Sequence, residues 1–387
     1  MMIGNCIRRY ATSSSSSSSA AAAAASFIST TEKYLYSWGT SWSGSLGLGN
    51  VTDQIVSLYA SHQGQEQRPK QVIVSMSAGG FHSVISVEEP NGDYNTYAFG
   101  RNSERQLGID THDHQHDMVY DPTPIPSLRG KKIIHISCGP NYTIVVDQNN
   151  NIYSFGMNDM GQCGIKVDSN NRVVSKPTKL DFGTNHLGLG KIEQIDSGWG
   201  HSIFTTDKNE MFVWGSNLHG QCGIGTKGRD IVTLRQIDIG ASVAKIHSIS
   251  CASCASVAVV ERTNRDNDTL IWGSCGDGKL GGEQTQDQLI PTVMSNLPKS
   301  IISASFGTDH CIAIDKNKSN DRSSTTLYGW GFGQHGTLGK SLKVFKTPEI
   351  LTSLTDEIAA DINNNNRYEI DNIQCSIDTS FAITKNN

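Results

Sequence analysis

An aromatic residue followed by glycine recurs six times along this 387-residue chain. Successive pairs are separated by 61, 56, 59, 58 and 58 residues. A period this regular is typical of a repeat architecture, in which each unit buries its apolar face by packing against its neighbours. The six pairs are Trp38-Gly39, Phe99-Gly100, Phe155-Gly156, Trp214-Gly215, Trp272-Gly273 and Trp330-Gly331.

Two further elements follow each pair in a fixed order. The first is a Gly-x-x-Gly segment, such as the one from Gly220 to Gly223, and the second is a Gly-x-x-His-Ser segment, such as the one from Gly198 to Ser202. A proline often precedes a further strand between them, although the fourth unit has none. Each unit has room for about four short strands, which is the content of one propeller blade.

These units predict an all-β fold, a β-propeller with six four-stranded blades. Seven blades are the alternative, if a divergent blade lies within the longer segments between elements. No sustained helical periodicity follows residue 33. We therefore assign residues 34–385 to the propeller.

The segment from Ile192 to Gly225 shows the pattern most clearly. Two short alternating strands flank a polar turn at Thr206–Glu210, which is typical of a β-hairpin. We interpret the segment as a junction between blades, where one unit ends and the next begins. On this interpretation Trp199, like its neighbours in the segment, is a packing residue that recurs with the repeat.

The three histidines of the Gly-x-x-His-Ser segments are candidate site residues. His82, His201 and His310 hold the same place in three units, and convergence near the axis could make a metal site. Other units place Tyr142 and Ala255 there, and a ligand position would not tolerate these residues. We therefore predict a structural role, in which the imidazole ties neighbouring turns together by hydrogen bonds.

Two other clusters have the spacing of metal or redox sites. Cys251 and Cys254 form a Cys-x-x-Cys pair, but no second pair exists to complete a tetrahedral zinc site. We interpret them as small core residues. His112, His114 and His116 alternate with acids in a long loop, where a divalent ion is the alternative to plain solvation. We predict no metal, no cofactor and no catalytic residue, and hence a non-catalytic binding module.

Composition limits the partners and the compartment. The net charge is −5, so the chain lacks the general basic character of DNA-binding domains and no direct DNA binding is expected. No apolar run approaches the roughly 20 residues of a membrane span. The nine cysteines fall mostly at repeat-equivalent positions, which favours a reducing compartment. We expect a monomer.

Residues 1–33 differ from the rest of the chain. They contain Arg8 and Arg9, many serines and alanines, and no acid before Glu32. An amphipathic, acid-poor composition of this kind is typical of a mitochondrial transit peptide. A low-complexity tail in a cytoplasmic protein and a secretory signal are the alternatives.

The three elements in this order resemble the repeat of the regulator of chromosome condensation family. The resemblance covers the six units and implies a closed β-propeller, and the leader resembles that of mitochondrial members. The founding activity of the family is guanine-nucleotide exchange on a small nuclear GTPase. No exchange residue aligns by motif with this chain. We therefore predict a scaffold that binds a protein partner, and the alternatives are a guanine-nucleotide releasing factor for a small GTPase or an organellar ribosome and RNA assembly factor.

The variable loops are the expected contact regions, since insertions in repeats tend to gather on one binding face. One set lies in turns that we place between units, as at Glu88–Asn95 and Glu261–Asp268. The other set follows the Gly-x-x-Gly segments, as at Asn50–Gln67 and Ile109–Asp121.

Overall fold

The fold was analysed in a computed structural model of the chain. It describes residues 36–37, 56–57, 72–109, 118–168, 172–181, 188–317, 324–333, 337–338, 344–352, 368–375 and 380–386. Twenty-four strands and two short 3₁₀ helices, Pro126–Leu128 and Gly276–Gly278, lie in these residues. The predicted all-β class is confirmed. Within this part of the chain, no helix has the length and apolar character needed to cross a membrane.

Twenty of the strands form five antiparallel four-stranded sheets, which we call blades 1 to 5 in chain order. Blade 1 contains β3 (Val72–Ala78), β4 (His82–Glu88), β5 (Tyr94–Arg101) and β6 (Met118–Pro124). Blade 2 contains β7 (Ile133–Cys138), β8 (Tyr142–Asp147), β9 (Ile152–Met157) and β10 (Val173–Lys179). Blade 3 contains β11 (Ile192–Ser197), β12 (His201–Thr206), β13 (Met211–Gly215) and β14 (Ile231–Ile237).

Blade 4 contains β15 (Val243–Cys251), β16 (Ala255–Arg262), β17 (Asn267–Gly273) and β18 (Gln288–Val293). Blade 5 contains β19 (Ile301–Phe306), β20 (His310–Asn317), β21 (Ser324–Phe332) and β22 (Val344–Ile350). The other four strands form two pairs, β1 (Tyr36–Ser37) with β2 (Val56–Ser57) and β23 (Tyr368–Cys375) with β24 (Ser380–Asn386).

The segment from Ile192 to Gly225 lies within a single blade, so its interpretation as a junction between blades was wrong. Strands β11, β12 and β13 are consecutive neighbours in blade 3, and His201 pairs with Gly215 across β12 and β13. The aromatic-glycine pair therefore ends the third strand of a blade instead of opening a unit. The proline that we expected before a strand lies inside the outermost strand, as Pro177 does in β10.

The first strand of each blade faces a central channel of about 450 Å³. Residues of β3, β7, β11, β15, β19 and β23 line it, so five complete blades and the β23–β24 pair stand around one axis. Side chains of one innermost strand accept hydrogen bonds from backbone N–H groups of the innermost strand of the next blade. Cys138 N donates to Ser77 Oγ at 3.1 Å, and Phe306 N donates to Ser250 Oγ at the same distance.

The middle strands of each blade are buried between their neighbours, which explains their unbroken apolar runs. All six residues of β12 and all five of β13 are buried. In blade 3, Phe204 stacks on Phe212 with ring centroids 5.2 Å apart. The core is therefore a set of layers between adjacent blades.

The turns at Glu88–Asn95 and Glu261–Asp268 lie at the end of the blade opposite to the loops between strands 3 and 4. They join the second and third strands inside a blade, so they are not junctions between units. Most of Asn50–Gln67 and Ile109–Asp121 lies outside the described residues. We call the end that carries the loops between strands 1 and 2 and between strands 3 and 4 the upper face. The opposite end is the lower face.

Candidate partner-binding face

The aromatic residues of the repeat tie each blade to the preceding one. Three indole Nε1 groups donate to backbone carbonyls in the loop between strands 3 and 4 of that blade. The bonds run from Trp214 to Gln162 at 2.9 Å, from Trp272 to Gln221 at 2.8 Å and from Trp330 to Lys279 at 2.8 Å. Phe99 and Phe155 are buried at the equivalent positions of blades 1 and 2. Trp38 and Gly39 lie outside the described residues.

The glycine after each aromatic residue lies where the backbone of the loop between strands 1 and 2 passes closest. Gly215 has a φ of +103°, and a Cβ there would lie 2.3 Å from Gly200 O. Ser216 N donates to the same carbonyl at 2.7 Å, so the contact cannot widen without losing that bond. Gly100, Gly156, Gly273 and Gly331 have the same left-handed backbone.

His82 and His201 contact the following blade and do not meet at a shared site. His82 Nε2 lies 2.7 Å from Thr143 Oγ1, and His201 Nε2 lies 2.8 Å from Ser256 Oγ. His310 is buried as well. Tyr142, which replaces the histidine in blade 2, donates its hydroxyl to the carbonyl of His201 at 2.8 Å. The position therefore bridges blades, whichever of these side chains it carries.

Acid is expected to weaken the folded state through these histidines. Burial lowers the pKa of His201 to about 3, so the unfolded chain binds a proton near pH 6.5 that the folded chain does not bind. Stability therefore falls as the pH drops from 6.5 towards 3, by about 3 kcal/mol per such histidine at pH 4.5. In urea titrations at pH 7 and pH 4.5, His201→Tyr should lose less free energy of unfolding on acidification than the wild-type chain, by the amount assigned to one histidine.

The control is His219→Gln, which should keep the wild-type pH dependence because the His219 side chain is half-exposed. An unchanged pH dependence in His201→Tyr would contradict the assignment.

The interface between blades 4 and 5 is built differently. Ala255 replaces the bridging histidine and Cys311 replaces its hydroxyl partner, so no such hydrogen bond forms there. Instead, Lys279 Nζ lies 2.5 Å from Asp309 Oδ1, and Lys279 is only 5 % exposed. This ion pair was not predicted from the sequence. Its one signal was that Lys279 stands where three other units carry glutamine.

The polar groups of the channel wall hold the blades together. Asp196 occupies the place that serine holds in four other blades, and its Oδ2 accepts Cys251 N at 2.6 Å. Burial raises the pKa of Asp196, while hydrogen bonds from the backbone of Cys251 and Ser197 oppose the rise. Among the described residues that line the wall there is no lysine or arginine.

The sequence segments with metal-like or redox-like spacing do not form a metal cluster within the described residues. No three His, Cys, Asp or Glu side chains there could share a metal ion. Cys251 is buried, which raises the pKa of its thiol well above the usual range, and Cys254 is half-buried. The loop with His112, His114 and His116 lies outside the described residues.

Trp199 differs from the other described tryptophans, so its interpretation as a packing residue was wrong. It lies in the loop between β11 and β12 at the rim of the channel and is 46 % exposed. Leu218, in the loop between β13 and β14, is 52 % exposed on the same face. In blade 1, Arg101 covers the ring of Phe81 at 5.3 Å. The upper face thus combines exposed apolar groups with the rim of the channel.

Two family models described as "Regulator of chromosome condensation (RCC1) repeat" match the chain. One matches residues 95–146, 149–205 and 266–314, and the other matches 133–162 and 192–221. These matches lie within blades 1 to 5 and agree with the repeat elements described above.

Relatives and solved structures show the same likeness. The X-linked retinitis pigmentosa GTPase regulator of Homo sapiens is 27 % identical over 74 % of this chain, which spans only 26 % of that protein. The RCC1-like G exchanging factor-like protein of Mus musculus is 23 % identical over 90 % of this chain and 76 % of its own length. The crystal structure of yeast RCC1 (Prp20) bound to Kap60 has a TM-score of 0.70 at 20 % identity, covering 92 % of this chain and 76 % of that one. This last likeness shows a common β-propeller fold.

Proposed function

Because this chain is built from regulator of chromosome condensation repeats, we propose that it is a β-propeller scaffold that binds a protein partner through its upper face. Trp199 carries the proposal. Its side chain is 46 % exposed, whereas Trp214, Trp272 and Trp330 are fully buried. Tryptophan is enriched among the residues that dominate binding energy at protein interfaces. Binding through such a residue requires no covalent chemistry, which fits a non-catalytic binding module.

Substitution of Trp199 tests this function. Affinity purification with the wild-type chain identifies partners, and Trp199→Ala should weaken recovery of the authentic partner by about thirtyfold, as expected for the loss of about 2 kcal/mol at a binding hot spot. Ile290→Ala is the matched control, because Ile290 is 57 % exposed but lies on an outer strand. Equal recovery by the Trp199 variant and the wild-type chain would rule out this face.

Guanine-nucleotide exchange is the second candidate, favoured by the name of the mouse relative that covers 90 % of this chain. An exchange factor binds the nucleotide-free GTPase more tightly than the nucleotide-bound form, and by linkage it lowers nucleotide affinity. A scaffold of this kind needs only a complementary surface. Release of labelled GDP from candidate small GTPases should accelerate when the propeller is added. Unchanged release across the set would remove this candidate.

The ring is proposed to close as six blades. Blades 1 to 5 leave β1 and β2 near one end of the chain and β23 and β24 near the other, which together have the strand content of one blade. Deletion of residues 34–57 and deletion of residues 368–387 should then lower the melting temperature by amounts that do not add in the double deletion. Additive losses would show that the two pairs are independent.

Residues 1–33 are proposed to direct the chain to mitochondria, on the strength of their acid-poor, arginine-containing composition. A fluorescent reporter fused to these residues should enter mitochondria. Replacement of Arg8 and Arg9 by glutamate should abolish import, because transit peptides depend on positive charge. A diffuse signal from the unchanged fusion would contradict the proposal.

A further inference from the structure

Four of the five complete blades carry a proline in their outermost strand, and blade 3 does not. The prolines precede a residue that pairs with the third strand, as Pro291 precedes Thr292. In blade 3 the equivalent pair is Arg235 with Val213, so Leu234 holds the proline position. The four prolines are Pro122, Pro177, Pro291 and Pro348.

At the proline position, the backbone N–H of any other residue would point away from its own blade. Three residues after the proline, Met294 N donates inward to Thr269 O at 2.9 Å. Backbone N–H groups alternate along a strand, so the residue at position 291 would direct its N–H outward. Proline removes that donor and so prevents another strand from pairing with the edge. Leu234 retains the donor, and no strand of the described chain pairs with the outer edge of β14.

A groove of about 410 Å³ lies at the lower end of this edge. Its lining includes Glu210, Gln236 and Asp238, and no described lining residue is a lysine or an arginine. Glu210 Oε2 is buried without a hydrogen-bond partner. Asp238 Oδ1 accepts Gly240 N at 2.9 Å. A carboxylate oxygen without a partner, beside a second acid, favours a cationic group in the groove.

A neighbouring cation does not fill this role. Arg262 lies behind Gly240, but its Nε donates to Asp268 and its Nη1 donates to the carbonyl of Ile239. Its charge is therefore already paired. The groove remains complementary to a cation supplied from outside.

We propose that the outer edge of β14 binds an extended peptide by strand addition, with a lysine or arginine of that peptide in the groove beside Glu210 and Asp238. Main-chain hydrogen bonds supply affinity in this mode of recognition, and side-chain pockets supply specificity. In an antiparallel arrangement, the basic residue lies opposite Asp238 and an acidic residue three positions later lies opposite Arg235.

A second copy of this chain fits the edge less well. Two β14 strands that pair around Gln236 place Arg235 opposite Ile237 and Asp238 opposite Leu234. Neither charge then lies opposite a residue of the other sign, so this dimer lacks the cross-strand ion pairs that would stabilise it. A peptide with a Lys-x-x-Glu pattern provides both.

Peptide binding tests the proposal directly. The probe is a labelled peptide of sequence Thr-Lys-Val-Thr-Glu-Val-Thr, and its matched control carries norleucine in place of lysine. Fluorescence anisotropy should show about tenfold tighter binding of the lysine peptide to the wild-type chain. Glu210→Gln should remove that difference, and Leu234→Pro should weaken both peptides at least about tenfold.

The variants separate the two parts of the proposal. Four other blades accommodate proline at this position, so Leu234→Pro should fold, with a lower melting temperature because Leu234 packs against the core. If Leu234→Pro unfolds, the proposal is decided by the affinities of the lysine and norleucine peptides for Glu210→Gln. No binding by the wild-type chain, or equal binding of both peptides to it, overturns the proposal. A wild-type dimer that Leu234→Pro converts to a monomer assigns the edge to a second copy and also overturns it. The upper face and Trp199 are not involved, so the partner test above is independent.

Discussion

Replacing Gly215 with alanine is expected to destabilise the protein by more than about 3 kcal/mol, because two penalties fall on one residue. The backbone has a φ of +103°, which side chains disfavour. The new Cβ would also lie 2.3 Å from Gly200 O and 2.7 Å from the Cα of His201. Both neighbours are backbone atoms, so relief requires separating β13 from the loop that precedes β12.

Gly228 provides a control for this substitution. It has a φ of +93°, and nothing lies within 4 Å of a Cβ built on it. Gly228→Ala therefore carries the conformational penalty alone, about 1–2 kcal/mol. Urea titration followed by tryptophan fluorescence measures both variants. Equal losses would show that the close contact with the loop contributes nothing.

Replacing Trp272 with alanine is expected to cost about 3–5 kcal/mol. The side chain is fully buried between blades 3 and 4, and its Nε1 donates to Gln221 O at 2.8 Å. The substitution removes the largest side chain at this interface and leaves a cavity. Phenylalanine, which blades 1 and 2 carry at the same position, should cost less because it keeps most of the apolar contact.

Trp199→Ala is the matched control for Trp272→Ala. The same residue type is removed, but Trp199 is 46 % exposed and leaves no buried cavity. Its loss should change the free energy of unfolding by no more than about 0.5 kcal/mol. Thermal unfolding monitored by circular dichroism distinguishes the two tryptophans. A large loss in the Trp199 variant would mean that it packs in the fold after all.

Much of the fold was predictable because the repeat is a local pattern that recurs in the chain. Short apolar runs such as Met211–Trp214 predict strands, and their spacing predicts one blade per unit. The point in the repeat at which one blade ends and the next begins was not predictable from the spacing. A periodic sequence can be divided at any point in its period, and only the hydrogen bonds between β11 and β12 show where one sheet begins.

The candidate site residues were also only partly predictable from the sequence. Equivalent positions predicted the buried histidines, but Trp199 and Trp214 are both tryptophans next to glycines in one short segment. Their exposures differ because Trp214 faces the preceding blade while Trp199 lies at the rim of the channel. Neighbours distant in the chain decide that difference. The same holds for Lys279 and Asp309, which are 30 residues apart.

The sequence by itself determined the repeat, the strand content and the residues needed wherever the backbone is tight, since these depend on short-range sterics and apolar alternation. The tertiary structure decided which tryptophan is exposed, which interface uses an ion pair in place of a histidine, and that Glu210 Oε2 is buried without a partner near the proline-free outer edge. Those properties depend on which blade lies next to which side chain. Burial and hydrogen-bond partners are set by contacts across the ring, and such contacts have no local signature in the chain.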